Sequence, residues 1–161
     1  MKRGTQPPAI PLRKFRVYAE PKSSLYCRVF IWRTKRDMRT FLKHFETRVC
    51  APKARVKGAY WNDTVACWRG YTRQRPNGKR WRTFPVFGDF HFPIRELRMG
   101  CITHECGHAA LGWLVRRNLE IIQPVNGHAS ESEERFCRVL GSLTRQIVWK
   151  TQNLQQGKDR L

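Results

Sequence analysis

The sequence predicts one mixed α+β domain, on three observations. The chain has 161 residues, 40% hydrophobic and 12% aromatic, enough for one sizeable core. Two regions, one before residue 33 and one between 57 and 93, are rich in β-branched and aromatic residues and broken by turn signals. Three other stretches repeat apolar residues at helical spacing. The expected domain covers residues 13–150. A Pro-rich lead-in at 1–12 precedes it, and a polar tail at 151–161 follows. No internal repeat is visible.

Phe15-Arg16-Val17-Tyr18 alternates and predicts a first strand, ended by Pro21. Leu25 to Trp32 predicts a second, because Val29, Phe30, Ile31 and Trp32 are β-branched or aromatic. Thr34 then fits an N-cap, with Asp37 in the first helical turn. Met38, Phe41, Leu42, Phe45 and Val49 follow at helical spacing, to about Cys50 ahead of Pro52. Lys57 to Tyr71 reads as a strand region, and Pro76-Asn77-Gly78 as a hairpin turn. Trp81 to Phe87 is the returning strand; Asp89 to Pro93 either continues it or forms a short separate one. Residues 95–117 predict a helix, closed by Arg116, Arg117 and Asn118. Pro124 and Asn126-Gly127 mark a connection. Ser130-Glu131-Ser132-Glu133 is a capping box for a last helix. Phe136, Val139, Leu140, Leu143 and Ile147 form its apolar face, and the chain frays from Lys150.

The net charge is +20, from 32 Lys+Arg against 12 Asp+Glu. That excess favours nucleic acid, an anionic membrane surface or an acidic protein partner; a solvated basic surface without a ligand explains it as well. The hairpin arms carry Arg69, Arg73, Arg75, Lys79, Arg80 and Arg82, interleaved with Trp68, Tyr71 and Trp81. Cations beside stacking rings suit single-stranded nucleic acid or a phosphate backbone. The competing reading is an exposed hairpin kept soluble by its charge. No apolar run is long enough to span a membrane. The first eight residues hold no apolar h-region, so no secretory signal is read and a cytoplasmic location is expected. None of the six cysteines forms a C-x-x-C pair, so no zinc ribbon is visible and free thiols are expected.

The most specific stretch is His104-Glu105-Cys106-Gly107-His108. Residues i and i+4 share one helix face, so both imidazoles can reach one metal ion. Glu105 lies about 100° round the helix, near enough to touch a metal-bound water without ligating the metal. Leu111 and Val115 extend the histidine stripe, which predicts that this face turns toward the body of the protein. Cys106 reads as a packing residue. A catalytic zinc site takes three protein ligands and a water. Position 114 is Leu114, which excludes a third histidine in the extended motif. The acids Glu131, Glu133 and Glu134 open the following helix. Helical phase places Glu133 nearer the Phe136/Leu140 face, but the capping box gives it another role. Acids in a first turn also simply complement the helix dipole.

With Glu134-Arg135-Phe136-Cys137 downstream, the motif resembles minimal gluzincin-type peptidase domains. These are the ImmA/IrrE-like and SprT-like groups and small phage-encoded relatives. The likeness covers roughly residues 85–148, and only the first motif is highly specific. It lacks the Cys-rich ribbon of many SprT-like proteins and the Ala-Asn pair of the ImmA/IrrE pattern. The resemblance implies a zincin-like core: a short twisted sheet, an N-terminal helix, the active-site helix and a ligand-bearing helix. It implies Zn2+ on His104, His108 and Glu134, with Glu133 as second choice and Glu131 last. Glu105 would be the general base. It also implies that the strand within Pro85–Pro93 pairs with an extended peptide substrate. Arg138, His128 and a hairpin tyrosine are open candidates for the oxyanion donor.

The expected function is therefore zinc-dependent hydrolysis of a protein or peptide. The alternative is a basic nucleic-acid-associated protein with a structural or vestigial zinc site. A protease acting on DNA-bound proteins joins the two, and a small interaction protein with a chance motif is the third reading.

Overall fold

The structure, a computed structural model, describes residues 9–45, 66–70, 85–117, 119 and 130–156. Four strands and three helices make up an α+β fold. In chain order they are β1 (Arg13–Tyr18), β2 (Tyr26–Trp32), α1 (Lys35–Phe45), β3 (Cys67–Gly70), β4 (Val86–Pro93), α2 (Met99–Arg116) and α3 (Glu131–Gln156). The sheet order is β1-β2-β4-β3. β1 and β2 pair antiparallel, β2 and β4 parallel, and β3 antiparallel to β4.

Side chains alternate across the sheet and divide the core between its two faces. Val17, Cys27, Val29, Ile31, Phe90 and Phe92 point to the side where Ile102, Ala109, Trp113, Val139, Leu143 and Ile147 of α2 and α3 complete the main core. Phe30 and Trp32 point to the opposite side and pack with Met38 and Leu42 of α1. Register shifts between Tyr26 and Cys27, whose β4 partners are Val86 and Gly88. Phe87, skipped in that register, joins the main core. Each large apolar side chain buried this way contributes about 1.5–3 kcal/mol.

Helix boundaries follow local chemistry. Thr34 Oγ1 accepts from the Asp37 amide at 3.1 Å and donates to its carboxylate at 2.8 Å, so the expected cap of α1 is formed. The Ser130 hydroxyl accepts from the Glu133 amide at 3.2 Å and opens α3. α2 starts at Met99, four residues later than the 95–117 span, because Ile94–Glu96 forms a 3-10 turn and Arg98 is extended. Where the sequence predicts fraying from Lys150 and a polar tail from 151, α3 runs on to Gln156. Thr151 is buried and donates to the Ile147 carbonyl at 2.7 Å, while Lys150 Nζ donates to the Arg16 carbonyl at 2.9 Å. The Thr151 bond stays within α3; Lys150, which also accepts from Arg13 Nη1 at 2.9 Å through its carbonyl, docks the helix against β1.

β4 lies between β2 and β3, so both of its edges are already paired. β3 covers β4 over Gly88–His91, so an extended peptide cannot add there, which corrects the expectation for that part of Pro85–Pro93. β3 is the edge strand on that side. Among the described residues, no helix is long and apolar enough to cross a membrane.

Candidate metal-binding site

α2 carries apolar residues on most of its circumference, so periodicity alone admits two inward faces. The structure selects the one bearing Ile102, Glu105, Cys106, Ala109, Ala110, Trp113 and Leu114. Ala109 and Ala110 allow close approach, and Trp113 fills the remaining volume. The histidine stripe therefore faces outward, against the sequence expectation. His104 and His108 are exposed, and Leu111 and Val115 beside them are 39% and 72% exposed.

The two imidazoles meet edge to face, with ring centroids 4.8 Å apart at 83°. Their Nε2 atoms are 3.2 Å apart. Two nitrogens bound to one tetrahedral zinc at 2.0–2.1 Å lie about 3.3 Å from each other. The pair thus has the bite of a chelate. Without metal, one ring can donate Nε2–H to the other in the same geometry.

Glu105 is 7% exposed and lies against the inner side of α2. Burial raises the Cys101 thiol, and the Glu105 and Glu96 carboxylates raise it further; Lys35 opposes them. Lys35 and Glu96 are themselves paired at 2.6 Å. Burial also pushes the Cys106 thiol up to about 12, with the Glu105 charge again adding to the rise. Cys106 is a neutral core thiol, as its packing role requires. Of the six cysteines, Cys101, Cys106 and Cys137 are free thiols, and Cys50 lies outside the described residues.

The acidic cluster on α3 is at the wrong level. Ile102 lines a cavity with Val148 and Thr151, and Cys106 lies beside Thr144, so α2 and α3 run antiparallel. Glu134 is ten residues from Thr144 along α3, about 15 Å at helical rise. Glu134 is exposed, and Glu131 is paired with Arg135 at 2.6 Å on the outer surface. Glu133 differs: its Oε2 is buried without a hydrogen-bond partner. Among the described residues that oxygen has no donor, and it lies toward the opposite end of α2 from His104. Among the described residues, no group of three or more His, Cys, Asp or Glu side chains is placed to hold a metal. Two donors fit zinc, and the structure does not bring Glu134 or Glu133 to them.

The remaining expected residues fall as follows. Arg69 stands in β3, in register with Asp89. Arg73, Arg75, Lys79, Arg80, Arg82, the hairpin turn and His128 lie outside the described residues. Arg138 is exposed on α3. Sequence reasoning missed the Arg28–Asp89 pair, which clamps β2 to β4 through two contacts of 2.7 and 2.6 Å. It also missed His91, buried in the α1 cluster, stacked on Phe30 at 4.9 Å and accepting from Trp32 Nε1 at 3.3 Å. Only the β2–β4 register brings these partners together.

Comparison with protein-family models, with curated proteins and with solved structures finds no match for this chain.

Proposed function

We propose that this protein is a zinc-dependent peptidase, with His104 and His108 as metal donors and Glu105 as the proton-transfer group. The single observation that supports it is the 3.2 Å separation of the two Nε2 atoms on one exposed helix face. When bound there, zinc supplies Lewis acidity that lowers the pKa of water toward neutrality. His104 and His108 orient that centre through Nε2. Glu105 follows His104 directly but lies on the inner side of α2, so its carboxylate must turn toward the histidine face to take a proton from the attacking water and return it to the leaving amine.

A second reading is favoured by a different observation. Only two donors meet among the described residues, and the chain carries +20. A basic nucleic-acid-associated protein with a structural or vestigial zinc fits both.

Elemental analysis of the purified chain, followed by a peptide-library cleavage screen, separates these readings. One zinc per chain and cleavage are expected for the parent. Glu105→Gln keeps zinc and loses cleavage; His104→Ala loses both. Full hydrolysis by Glu105→Gln would refute the proton-transfer role. Zinc without cleavage moves the protein to the second reading; absence of zinc removes the peptidase, and absence of nucleic-acid binding even at low salt then leaves a chance motif.

A further inference from the structure

The β1–β2 hairpin has a second surface, turned away from α2 and α3. Lys14, Arg16 and Tyr18 alternate onto it from β1, opposite Phe30, Arg28 and Tyr26 of β2. α1 covers only the Phe30/Trp32 end, where Phe41 packs on both rings. Beyond Phe30 no described element covers the face: Lys14 and Arg16 are exposed, Tyr18 is 37% exposed, and Tyr26 and Arg28 are half-buried.

The chemistry of this open half is uniform. Cations lie on aromatic rings, with Arg16 4.6 Å above Tyr26 and Lys14 5.2 Å above Phe30. Tyr18 and Tyr26 stand 5.9 Å apart at 55°, and Tyr18 is the more exposed of the two rings. The acid on this face, Asp89, is 4% exposed and engaged with Arg28. Among the described residues, neither Lys14 nor Arg16 has an acidic partner. A row of unneutralised cations beside a stacking platform matches a polyanion with unpaired bases. A duplex supplies the phosphates but keeps its base faces stacked inside.

We infer that the open half of the β1–β2 sheet face binds single-stranded nucleic acid, with Lys14 and Arg16 on phosphates and Tyr18 stacked on a base. The site lies on the opposite side of the sheet from the histidine pair, and it stands whether or not that pair holds zinc.

The test uses the full chain and a fluorescein-labelled 20-nucleotide thymidine strand, read by anisotropy over a range of salt. The parent binds, with affinity falling as salt rises. Lys14→Ala with Arg16→Ala weakens binding about tenfold or more and lowers the slope of log affinity against log salt by about 1.4, at roughly 0.7 per phosphate contact. Tyr18→Ala weakens binding at least about fivefold with the slope unchanged, and Tyr18→Phe restores it, because stacking needs the ring and not the hydroxyl. Unchanged thermal unfolding of these variants shows that the fold is kept. Parent affinity and slope in the Lys14/Arg16 double variant overturn the inference; if alanines at Arg73, Arg75, Lys79, Arg80 and Arg82 then abolish binding, the hairpin is the contact. Absence of binding at low salt, or binding only to a matched duplex or to phosphatidylserine vesicles, overturns it equally.

Discussion

Replacing Asp89 with alanine removes the acid that joins the two central parallel strands. Asp89 is 4% exposed and receives Arg28 Nε at 2.7 Å and Nη2 at 2.6 Å. A fully buried pair broken on one side costs about 3–5 kcal/mol, and an exposed pair about 0–1. Arg28 lies between these limits, because its side chain is 32% exposed and water can reach it once the carboxylate is gone. Two charge-assisted hydrogen bonds, discounted for that access, give a loss of about 2–3 kcal/mol. For a chain of this size the midpoint of thermal unfolding falls by roughly 5–10 °C. Urea denaturation is the sharper assay: the midpoint moves and the m-value stays constant. Arg28→Met alone and with Asp89→Ala completes a double-mutant cycle, with an expected coupling of about 1–2 kcal/mol. A change below about 0.5 kcal/mol for Asp89→Ala, or zero coupling, refutes the reasoning.

Other outcomes follow from the same geometry. His104→Ala and His108→Ala, at exposed positions, change metal-free stability by no more than about 0.5 kcal/mol, but both abolish the rise in melting temperature that zinc gives the parent. Glu134→Gln leaves zinc affinity within about twofold of the parent, since Glu134 is about 15 Å along α3 from the level of Cys106; a hundredfold loss in competitive titration would restore it as a ligand. Thr34→Ala lowers stability by about 1 kcal/mol in urea melts, because the Asp37 amide loses its acceptor. In mass-mapped maleimide labelling of the native protein, Cys137 reacts first among the described cysteines, while Cys27 and Cys106 react only on unfolding.

Much of the fold was legible from local chemistry. The strands at 13–18 and 26–32 follow from alternation and β-branched content, and α1 and α3 begin at their capping residues. Such signals are short-range, so they survive without knowledge of the partners. The spacing of His104 and His108 likewise sufficed for a shared helix face, while the 3.2 Å between their nitrogens is set by the side-chain conformations.

Orientation and partnership were decided elsewhere. An apolar α2 admits two inward faces, and packing of Ala109, Ala110 and Trp113 against the sheet and α3 chose the one that leaves the histidines outside. Glu134 looked adjacent because the chain separates it from His108 by one connection. An antiparallel helix pair instead sets the start of α3 at the far end of α2. Asp89–Pro93 read as the continuation of a hairpin strand or a short separate one, whereas β2 on one side and β3 on the other place β4 inside the sheet. The Arg28–Asp89 clamp, and the opposition of Lys14, Arg16 and Tyr18 to Phe30, Arg28 and Tyr26, arise from register. Register is a long-range property: a one-residue slip moves every side chain to the other face, and only burial of the whole core holds it in place.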